Sequence, residues 1–278
     1  MAARVILVVG DVIDDVVVRP LEPVAPAADT RSEIVPRPGG SGANTAAWLG
    51  ALRAPVRFAG RVGAADVVRH TDALAAAGVD ARLAADDHAP TGSIVVLAHD
   101  RTMFTARGAN ANLCAADLPA ELLDDVGWIH VSGYALFEPG PRDAVLAFVR
   151  GAGLPWSVDP ASASWLRDAD FLTWTAGAAL CLANADEAAV LGDALAGTYP
   201  EVVVKRGAAG ATLLGGASVP AAPADVVDLT GAGDAFAAGF LAAQLRGEDR
   251  LALAVATAAR AVAVTGGRPG EASKQHSW

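Results

Sequence analysis

Short apolar runs alternate with helical segments along most of this 278-residue chain, and no other feature restricts its fold as strongly. Each run is bounded by glycine or polar residues, as is typical of strands buried on both faces of a sheet. The predicted strands are 5–9, 56–59, 128–131, 156–158, 180–182 and 202–204. The predicted helices are 43–52, 67–77, 142–150, 185–191, 235–246 and 251–265. This alternation predicts an α/β fold, a three-layer α/β/α sandwich with a mainly parallel central sheet.

Two regions interrupt the alternation and predict a small second β unit. Residues 16–38 are rich in proline and lack a helical period, so they should form extended pieces and loops. Residues 91–98 and 102–106 look like two strands joined by a turn at His99-Asp100-Arg101. Because this hairpin breaks the strand and helix order, it is expected outside the main sheet as a flap. We expect residues 1–278 to form one domain that carries this flap.

Polar side chains collect after several predicted strands. They are Asp11, Asp14, Asp15, Asp159, Asn184, Glu187 and Lys205. Because the carboxyl ends of parallel strands form the ligand-binding edge of an open α/β sheet, we expect Asp159, Asn184, Glu187 and Lys205 to form the rim of one site there. Each one alone could instead cap a helix or face solvent, and for Asp11 and Asp14 a solvated acidic loop is the preferred interpretation.

The stretch Asp228-Leu229-Thr230-Gly231-Ala232-Gly233-Asp234 places a loop without bulky side chains before a helix. Such a loop can gather backbone N–H groups at a helix N-terminus, where unpaired donors and the helix dipole attract anions. A carboxylate there repels the anion unless it accepts a proton from the attacking group. Asp234 beside these N–H groups is therefore typical of a phosphoryl-transfer site. The competing interpretation is that Thr230 or Asp234 only caps a buried helix.

A second glycine-rich segment, Gly39-Gly40-Ser41-Gly42-Ala43-Asn44, opens the first predicted helix. Adjacent glycines let the backbone approach a ligand closely, and Asn44 offers a donor and an acceptor to hydroxyl groups. An ordinary helix start with Asn44 facing solvent fits this segment equally well.

Charge and cysteine content restrict the partners and the compartment. The formal net charge of −10 disfavours nucleic acid and anionic membranes, so an anionic ligand must be bound by local donors or a cation. Two cysteines, Cys114 and Cys181, are too few for a disulfide framework, which favours a reducing compartment. No apolar run approaches the roughly 20 residues that span a bilayer. The sequence predicts a soluble, cytoplasmic protein with no nucleic-acid or membrane partner.

The chain resembles the ribokinase-like, PfkB-type carbohydrate kinase family over nearly its whole length. Residues 228–234 are similar to the family's carboxyl-terminal signature and residues 39–44 to its amino-terminal signature, in the same order and at a matching separation. The resemblance implies a ribokinase-like fold with a β-lid near 16–38 and 91–106 that closes over the sugar and often forms a dimer contact. It also implies an ATP-dependent sugar kinase that uses Mg²⁺ and, in many relatives, K⁺.

The same resemblance implies roles for individual residues. Asp234 matches the catalytic base, and the backbone of Gly231, Ala232 and Gly233 matches the anion hole for the γ-phosphate. The positions that match the substrate side are Asp15, Gly39, Gly40, Asn44 and Asn110. The positions that match the nucleotide side are Asn184, Lys205, Gly207 and Gly210, with Glu187 tied to Mg²⁺ through water. Asp228 and Thr230 match positions that bind a monovalent cation.

Two segments depart from the family pattern. Many relatives carry an Asp and then a Gly at fixed positions after Gly63, whereas this chain continues Ala64-Ala65-Asp66. Asp159-Pro160-Ala161-Ser162 lacks the Asn and Arg that follow in several fructose- and ketodeoxygluconate-type members. The absence of this Asn and Arg argues against specificity for fructose or ketodeoxygluconate, and it favours ribose-like or nucleoside-like substrates.

The leading interpretation is a kinase that phosphorylates a primary hydroxyl of a small sugar. A nucleoside kinase of the same fold, including a pseudouridine-type enzyme, is the nearest alternative, and its base would need an aromatic platform. The candidates for that platform are Trp48, Phe104, Tyr134, Phe137 and Trp165. Arg101 or Arg107 could bind a carboxylate or phosphate on the substrate, although solvated lid arginines are commoner.

Two further alternatives belong to other classes. A catalytically inactive sugar or nucleotide sensor is disfavoured because Asp234 and the glycines before it are intact. A Rossmann-type dehydrogenase is disfavoured because residues 5–15 offer no Gly-x-Gly-x-x-Gly after the strand.

Overall fold

The computed structural model describes residues 4–24, 27–97, 102–167 and 169–270. The predicted turn at residues 99–101 lies outside these ranges, and so does Arg101. The strands are β1 (Val5–Val9), β2 (Ile13–Pro20), β3 (Ser32–Gly39), β4 (Val56–Gly63), β5 (Asp80–Asp86), β6 (Gly92–Leu97), β7 (Thr102–Ala106), β8 (Val126–Ser132), β9 (Trp156–Asp159), β10 (Leu180–Asn184), β11 (Glu201–Lys205), β12 (Ala211–Leu213) and β13 (Ser218–Val219). The helices are α1 (Ser41–Ala51), α2 (Val67–Ala76), α3 (Pro139–Gly151), α4 (Ala163–Leu166), α5 (Phe171–Thr175), α6 (Ala185–Leu191), α7 (Ala194–Thr198), α8 (Ala232–Arg246) and α9 (Arg250–Val262).

One large sheet forms the centre of the molecule, with strand order β13-β12-β11-β10-β9-β8-β1-β4-β5. All neighbours from β11 through β5 pair in parallel, whereas β12 and β13 add antiparallel strands at one edge. The predicted mainly parallel sheet is confirmed. Its parallel strands therefore present their carboxyl ends along a single edge.

Alternate side chains of the central strand enter two separate cores. Ile6 and Val8 of β1 pack in the core beneath α1, α2, α8 and α9, and Leu7 and Val9 pack in the core beneath α3 to α7. A strand covered on both faces must be apolar on both, which explains the continuous run Val5 to Val9. The three-layer α/β/α arrangement follows from this division.

A separate four-stranded sheet has the order β3-β2-β6-β7. β2 pairs antiparallel with β3 and parallel with β6, and β6 pairs antiparallel with β7. The hairpin predicted outside the main sheet therefore lies there, and the extended pieces predicted within 16–38 are two long strands. β2 follows β1 closely and β3 runs directly into α1, so this small sheet borders the carboxyl edge of the large one.

Some elements differ from the sequence-based expectations. β5, β12, β13, α4, α5 and α7 were not predicted, because they are short or, like β5, carry charged residues at an exposed sheet edge. α8 begins at Ala232 rather than at 235, which places Asp234 in its first turn. In the described ranges no helix is both long and apolar enough to cross a membrane.

Candidate active site

The carboxyl ends of five parallel strands bring polar groups to one edge of the large sheet. β1 leads into Asp11, β8 ends at Ser132, β9 at Asp159, β10 at Asn184 and β11 at Lys205. Register pairs Ser132 with Asp159 and Asn184 with Lys205, so these ends lie side by side. The expectation that the strand ends form one rim is met by this geometry.

Asp234 lies where the first turns of α8 and α1 meet. Its Oδ1 accepts a hydrogen bond from Ser41 Oγ at 2.8 Å, and its Oδ2 accepts one from Asn44 Nδ2 at 3.0 Å. α8 begins after Gly231, which has φ of 74°. A Cβ at Gly231 would lie 2.5 Å from the backbone of Gly267, so glycine is required at this turn.

Burial raises the pKa of the Asp234 carboxyl to about 7. The nearby charge of Asp159 adds to the increase, whereas the hydrogen bonds from Asn44 and Ser41 and the charge of Lys205 oppose it. A carboxylate with a pKa close to neutral is well matched to accept a proton at physiological pH. The environment of Asp234 therefore suits a general base.

Lys205 supplies a cation next to the glycine loop. Its Nζ donates to Asp159 Oδ2 at 2.5 Å, and both side chains are buried. A Cβ placed on Gly233 would lie 3.4 Å from the same Nζ. The first N–H groups of α8 have no intrahelical acceptors, so Lys205 and these donors can act together on one anion.

A cleft of ≈ 580 Å³ extends from this loop across the surface beneath α9. Its polar end holds Lys205, Asn184 and Gly233, and Gly207 and Gly210 lie on the turn that follows β11. The rest of the wall is apolar: Ala208, Ala221, Ala222, Pro223, Ala224, Val226, Leu229, Ala232, Phe236, Val255, Ala258, Ala259 and Val262. An apolar slot that ends at a cation and at the first amides of α8 fits a nucleotide with its base in the slot and its phosphates at the loop.

Asn184 and Glu187 form a reciprocal capping box at the start of α6. Asn184 N donates to Glu187 Oε2 at 2.7 Å, Asn184 Nδ2 to Glu187 Oε1 at 2.6 Å, and Glu187 N to Asn184 Oδ1 at 2.9 Å. Burial raises the pKa of Glu187 to about 7, and the charge of Asp159 adds to the effect. No group of three or more His, Cys, Asp or Glu side chains in the described ranges is arranged to hold a metal ion. Mg²⁺ would fit here only with most of its ligands from water and phosphate, as is usual for this ion.

Asp15 and the Gly39–Gly40 turn lie at the start of α1, the helix whose Ser41 and Asn44 bond to Asp234. Asp15 is only 9% exposed, and a Cβ at Gly39 would come within 2.3 Å of its carboxyl group. Burial raises the pKa of Asp15 to about 7, Asp11 adds to this, and Arg268 opposes it. Gly40 has φ of 95°, and a Cβ there would lie 2.5 Å from the Asp11 carbonyl oxygen. Together with Asn44, these residues line the side of the site that faces the small sheet.

Asn110 is held by backbone groups rather than presented to the site. Its Oδ1 accepts from Val12 N at 3.0 Å, and its Nδ2 donates to Val12 O at 2.8 Å and to Arg107 O at 3.0 Å. The side chain therefore fixes the loop between Asp11 and Ile13, which precedes Asp15. Both N–H groups of the Asn110 side chain are used in these bonds, so neither is left to donate to a substrate, the contact that was predicted for this residue.

Asp228 connects the loop before α8 with the segment after α9. Its Oδ1 accepts from Thr230 N at 2.9 Å and its Oδ2 from Gly266 N at 2.9 Å. The positions predicted to bind a monovalent cation, Asp228 and Thr230, are therefore neighbours in a turn next to the glycine loop. The turn holds the two chain segments together directly beside the Asp234 site.

Ser41 and Arg268 were not assigned to the site from the sequence, and for Arg107 and Asp11 a solvated position was the preferred interpretation. The preferred interpretation of Asp11 as a solvated residue was wrong, because it is 2% exposed and accepts from Ser41 N, Gly42 N and Ser132 Oγ. Asp14 is partly exposed and pairs with Arg69 at 2.7 and 2.8 Å. Asp11 directly follows a buried strand and Gly10, which was the available signal for its burial.

Comparisons with known proteins agree with this geometry. The sequence matches the family described as pfkB family carbohydrate kinase over residues 3–274. It is 32% identical over 261 residues to an ATP-dependent ribose-1-phosphate kinase of Halopiger xanaduensis, covering 84% of this chain and 82% of that protein. It is 34% identical over 246 residues to a fructokinase of Klebsiella pneumoniae, covering 77% and 79% respectively.

A solved structure is similar over almost the same length. It is a putative ribokinase II from E. coli in complex with ATP and Mg²⁺, with a TM-score of 0.83, 26% identity, and coverage of 95% of this chain and 94% of that one. The family model matches nearly all residues, two relatives are more than 30% identical, and the fold is shared with a solved kinase structure. The chain belongs to the pfkB family of carbohydrate kinases.

Proposed function

We propose that Asp234 is the general base of this ATP-dependent kinase and that the acceptor is a hydroxyl group of a small sugar. The observation that carries the proposal is the position of the Asp234 carboxylate between two subsites. On one side are the α8 amides, Lys205 and the apolar cleft, and on the other are Asp15, Gly39 and Asn44. A base at this junction can contact a hydroxyl that faces a bound phosphate.

The reaction then follows from the residues present. Asp234 removes the proton of the acceptor hydroxyl as its oxygen forms a bond to the γ-phosphorus. The bond from that phosphorus to the β,γ-bridging oxygen breaks, and ADP leaves. The amides of Gly231, Ala232 and Gly233 and the ammonium of Lys205 stabilise the negative charge on the transferred group.

ATP fits the cleft as the phosphoryl donor, with Asn184, Gly207 and Gly210 along its polar part. Mg²⁺ would neutralise phosphate charge and would be held through water by Glu187, whose hydrogen-bond partner Asn184 lines the polar end of the cleft. A monovalent cation, K⁺, is proposed at the turn formed by Asp228 and Thr230, beside the anion loop.

A bare sugar or sugar derivative is the leading acceptor class, in agreement with the names of the two relatives, a ribose-1-phosphate kinase and a fructokinase. A nucleoside is the second candidate, because the rings of Tyr134 and Trp165 meet edge to face at 5.4 Å next to the acceptor side. Trp48 does not provide this platform, since it is 2% exposed and bonds to the Gly267 carbonyl oxygen. Phe104 is 60% exposed on β7.

We further propose that the four-stranded sheet closes over the acceptor as a lid and excludes water. Ile34, Met103 and Phe104 are more than half exposed on this sheet, so its surface could also form a homodimer contact. A cytoplasmic location is proposed from the two cysteines, which are both free thiols.

The test is release of ADP from ATP and Mg²⁺, with and without K⁺, across ribose, ribose 1-phosphate, fructose, ketodeoxygluconate, adenosine, cytidine and pseudouridine. The proposal predicts acceptor-dependent ADP release, strongest with a sugar or sugar derivative. Strongest release with a nucleoside would favour the second candidate. Absence of acceptor-dependent release across the panel, with ATP binding intact, would support a sensor instead.

A further inference from the structure

Arg107 brings a buried guanidinium to the acceptor side of the site. It directly follows lid strand β7, and only 10% of its side chain is exposed. Nη2 donates to the Tyr134 carbonyl oxygen at 3.1 Å, and Nη1 lies 3.7 Å from Asp11 Oδ2, too far for a hydrogen bond. Its Nε is buried with no hydrogen-bond partner in the described ranges.

Aromatic rings hold the guanidinium in a fixed position. Its central carbon lies 5.5 Å from the ring centre of Tyr134 and 5.9 Å from that of Trp165. Such stacking orients the planar group and limits its rotation. A buried, oriented donor without an acceptor has a high desolvation cost, and in native proteins this cost is usually offset by a ligand or by water.

Arg107 is close enough to the base to contact the same small molecule. Asp11 Oδ2 also accepts from Ser41 N at 3.3 Å, and Ser41 Oγ donates to Asp234 Oδ1 at 2.8 Å. Asp11 thus lies between the Arg107 guanidinium and Ser41, and Ser41 bonds directly to Asp234. An acceptor whose reacting hydroxyl lies at Asp234 can reach Arg107 with its far end.

Arg268 provides a second guanidinium on this side. It donates to Gly39 O at 2.9 Å and to Asn44 Oδ1 at 3.3 Å, while its buried Nη1 has no partner in the described part of the chain. Burial lowers its pKa to about 10, with Asp15 opposing the change, so it remains charged at neutral pH. Because the whole chain has a formal net charge of −10, attraction of an anion must come from such local cations.

We propose that the acceptor carries an anionic group, a phosphate or a carboxylate, at the end away from the reacting hydroxyl, and that Arg107, assisted by Arg268, binds it. The planar fork of arginine matches both anions, and charge-assisted bonds to it are the stronger class of hydrogen bond. This inference rests on the proposed function, since it names the substrate class of the same site. Arg107 is thereby the residue that sets specificity for a charged acceptor.

The test measures acceptor binding without turnover, in the Asp234→Asn variant with an unreactive ATP analogue present. The probes are ribose, ribose 1-phosphate and ribose 5-phosphate for the phosphate arm, and fructose and ketodeoxygluconate for the carboxylate arm. At least one anionic sugar should bind about 10-fold or more tightly than its neutral counterpart. Adding Arg107→Gln should reduce that preference about 10- to 100-fold while changing the affinity for the neutral sugar little.

Two further variants control for a general loss of structure. Arg142, whose guanidinium lies 4.3 Å from the ring centre of Trp174, is an arginine on an indole outside the site, and Arg142→Gln should leave the preference unchanged. Arg107→Lys keeps the charge but loses the fork, so it should retain part of the preference. Equal binding of neutral and anionic sugars, or a preference that survives Arg107→Gln, would overturn the inference.

The kinase proposal is tested separately by ADP release from the wild-type enzyme. If anionic sugars bind through Arg107 but none supports ADP release, the proposed chemistry fails and the anion subsite stands. If a neutral sugar supports rapid release and no anionic sugar binds, the chemistry stands and the subsite fails.

Discussion

Ser41 Oγ donates a 2.8 Å hydrogen bond to Asp234 Oδ1, which joins the first turn of α1 to the first turn of α8 across 193 positions of sequence. Asn44, one turn further along α1, bonds to the other oxygen of the same carboxylate. Both bonds favour the charged form of Asp234, whereas its burial favours the neutral form. The balance leaves its pKa at about 7, where the carboxylate is both a usable base and a rigidly oriented one.

The first prediction concerns pH. Since the base must be ionised, kcat/KM for the acceptor should rise with pH through about 7, the pKa of Asp234. Ser41→Ala removes a bond to the charged form, so the acidic limb should move up by about 1 pH unit. Thr198→Ala, which removes a hydroxyl bonded to the Ala194 carbonyl of a remote helix, should leave the limb in place. An acidic limb near pH 4 in the wild type, or one that does not move in Ser41→Ala, would contradict this account.

The second prediction separates the two roles of Lys205. Lys205→Met leaves Asp159 and Glu187 buried without their cation, which should lower the free energy of unfolding by about 3–5 kcal/mol and weaken ATP binding. Adding Asp159→Asn removes the carboxylate that was bonded directly to Lys205, so it should recover much of the stability but not the ATP affinity. Thermal unfolding and ATP titration of the three proteins measure both effects. Recovery of ATP binding in the double variant would show that Lys205 acts only as a structural partner.

The third prediction compares two glycines of the anion loop. Gly233→Ala should fold normally, because its Cβ would lie at an ordinary 3.4 Å from Lys205 Nζ, yet it should raise the KM for ATP by placing a methyl group in the loop. Gly231→Ala should instead destabilise the fold by about 1–3 kcal/mol, because its φ is 74° and the backbone of Gly267 is 2.5 Å away. Gly197→Ala on α7, where a Cβ meets nothing within 4 Å, is the matched control. An unchanged KM for ATP in Gly233→Ala would place the phosphates elsewhere.

The fourth prediction concerns Asn110. Asn110→Asp cannot donate to the Val12 and Arg107 carbonyl oxygens, so the loop that precedes Asp15 should loosen. We expect a loss of about 1–3 kcal/mol in stability and a raised KM for the acceptor, with the KM for ATP little changed. Asn112→Ala, which removes a bond to Asp86 Oδ2, is the control: it should also lower stability but leave the acceptor KM near the wild-type value. If Asn110→Asp and Asn112→Ala had the same KM for the acceptor, the proposal that Asn110 positions the acceptor side of the site would be contradicted.

Much of this arrangement could be predicted from the sequence because parallel topology does most of the positioning. Once β9 and β11 are recognised as buried strands, Asp159 and Lys205 must lie at the same edge, and the structure pairs them. A helix after the Gly231-Ala232-Gly233 loop was also predictable from its apolar, small-residue pattern, although the predicted start at 235 was three residues too late. These inferences need only the strand order and the period of each element.

Other contacts could not be predicted because they depend on how distant segments approach each other. Ser41 looks like an ordinary helix start until α8 is known to lie against it. Arg268 reaches Asn44 from 224 positions away, and no local pattern marks it. Asn110 matches a substrate-side position of the family, yet its amide bonds to Val12, a use that only the fold reveals.

The measurement that tests the central claim most directly is the turnover of Asp234→Asn with ATP, Mg²⁺ and the best acceptor, alongside ATP titration of the same protein. Asn is nearly isosteric and cannot accept the proton, so turnover should fall by about 10²- to 10⁴-fold while ATP affinity stays within a few-fold of wild type. Thermal unfolding at pH 8 should show no loss of stability, because the variant removes a charge that burial disfavours. Turnover close to wild type in a folded variant that binds ATP would contradict the assignment of Asp234 as the base.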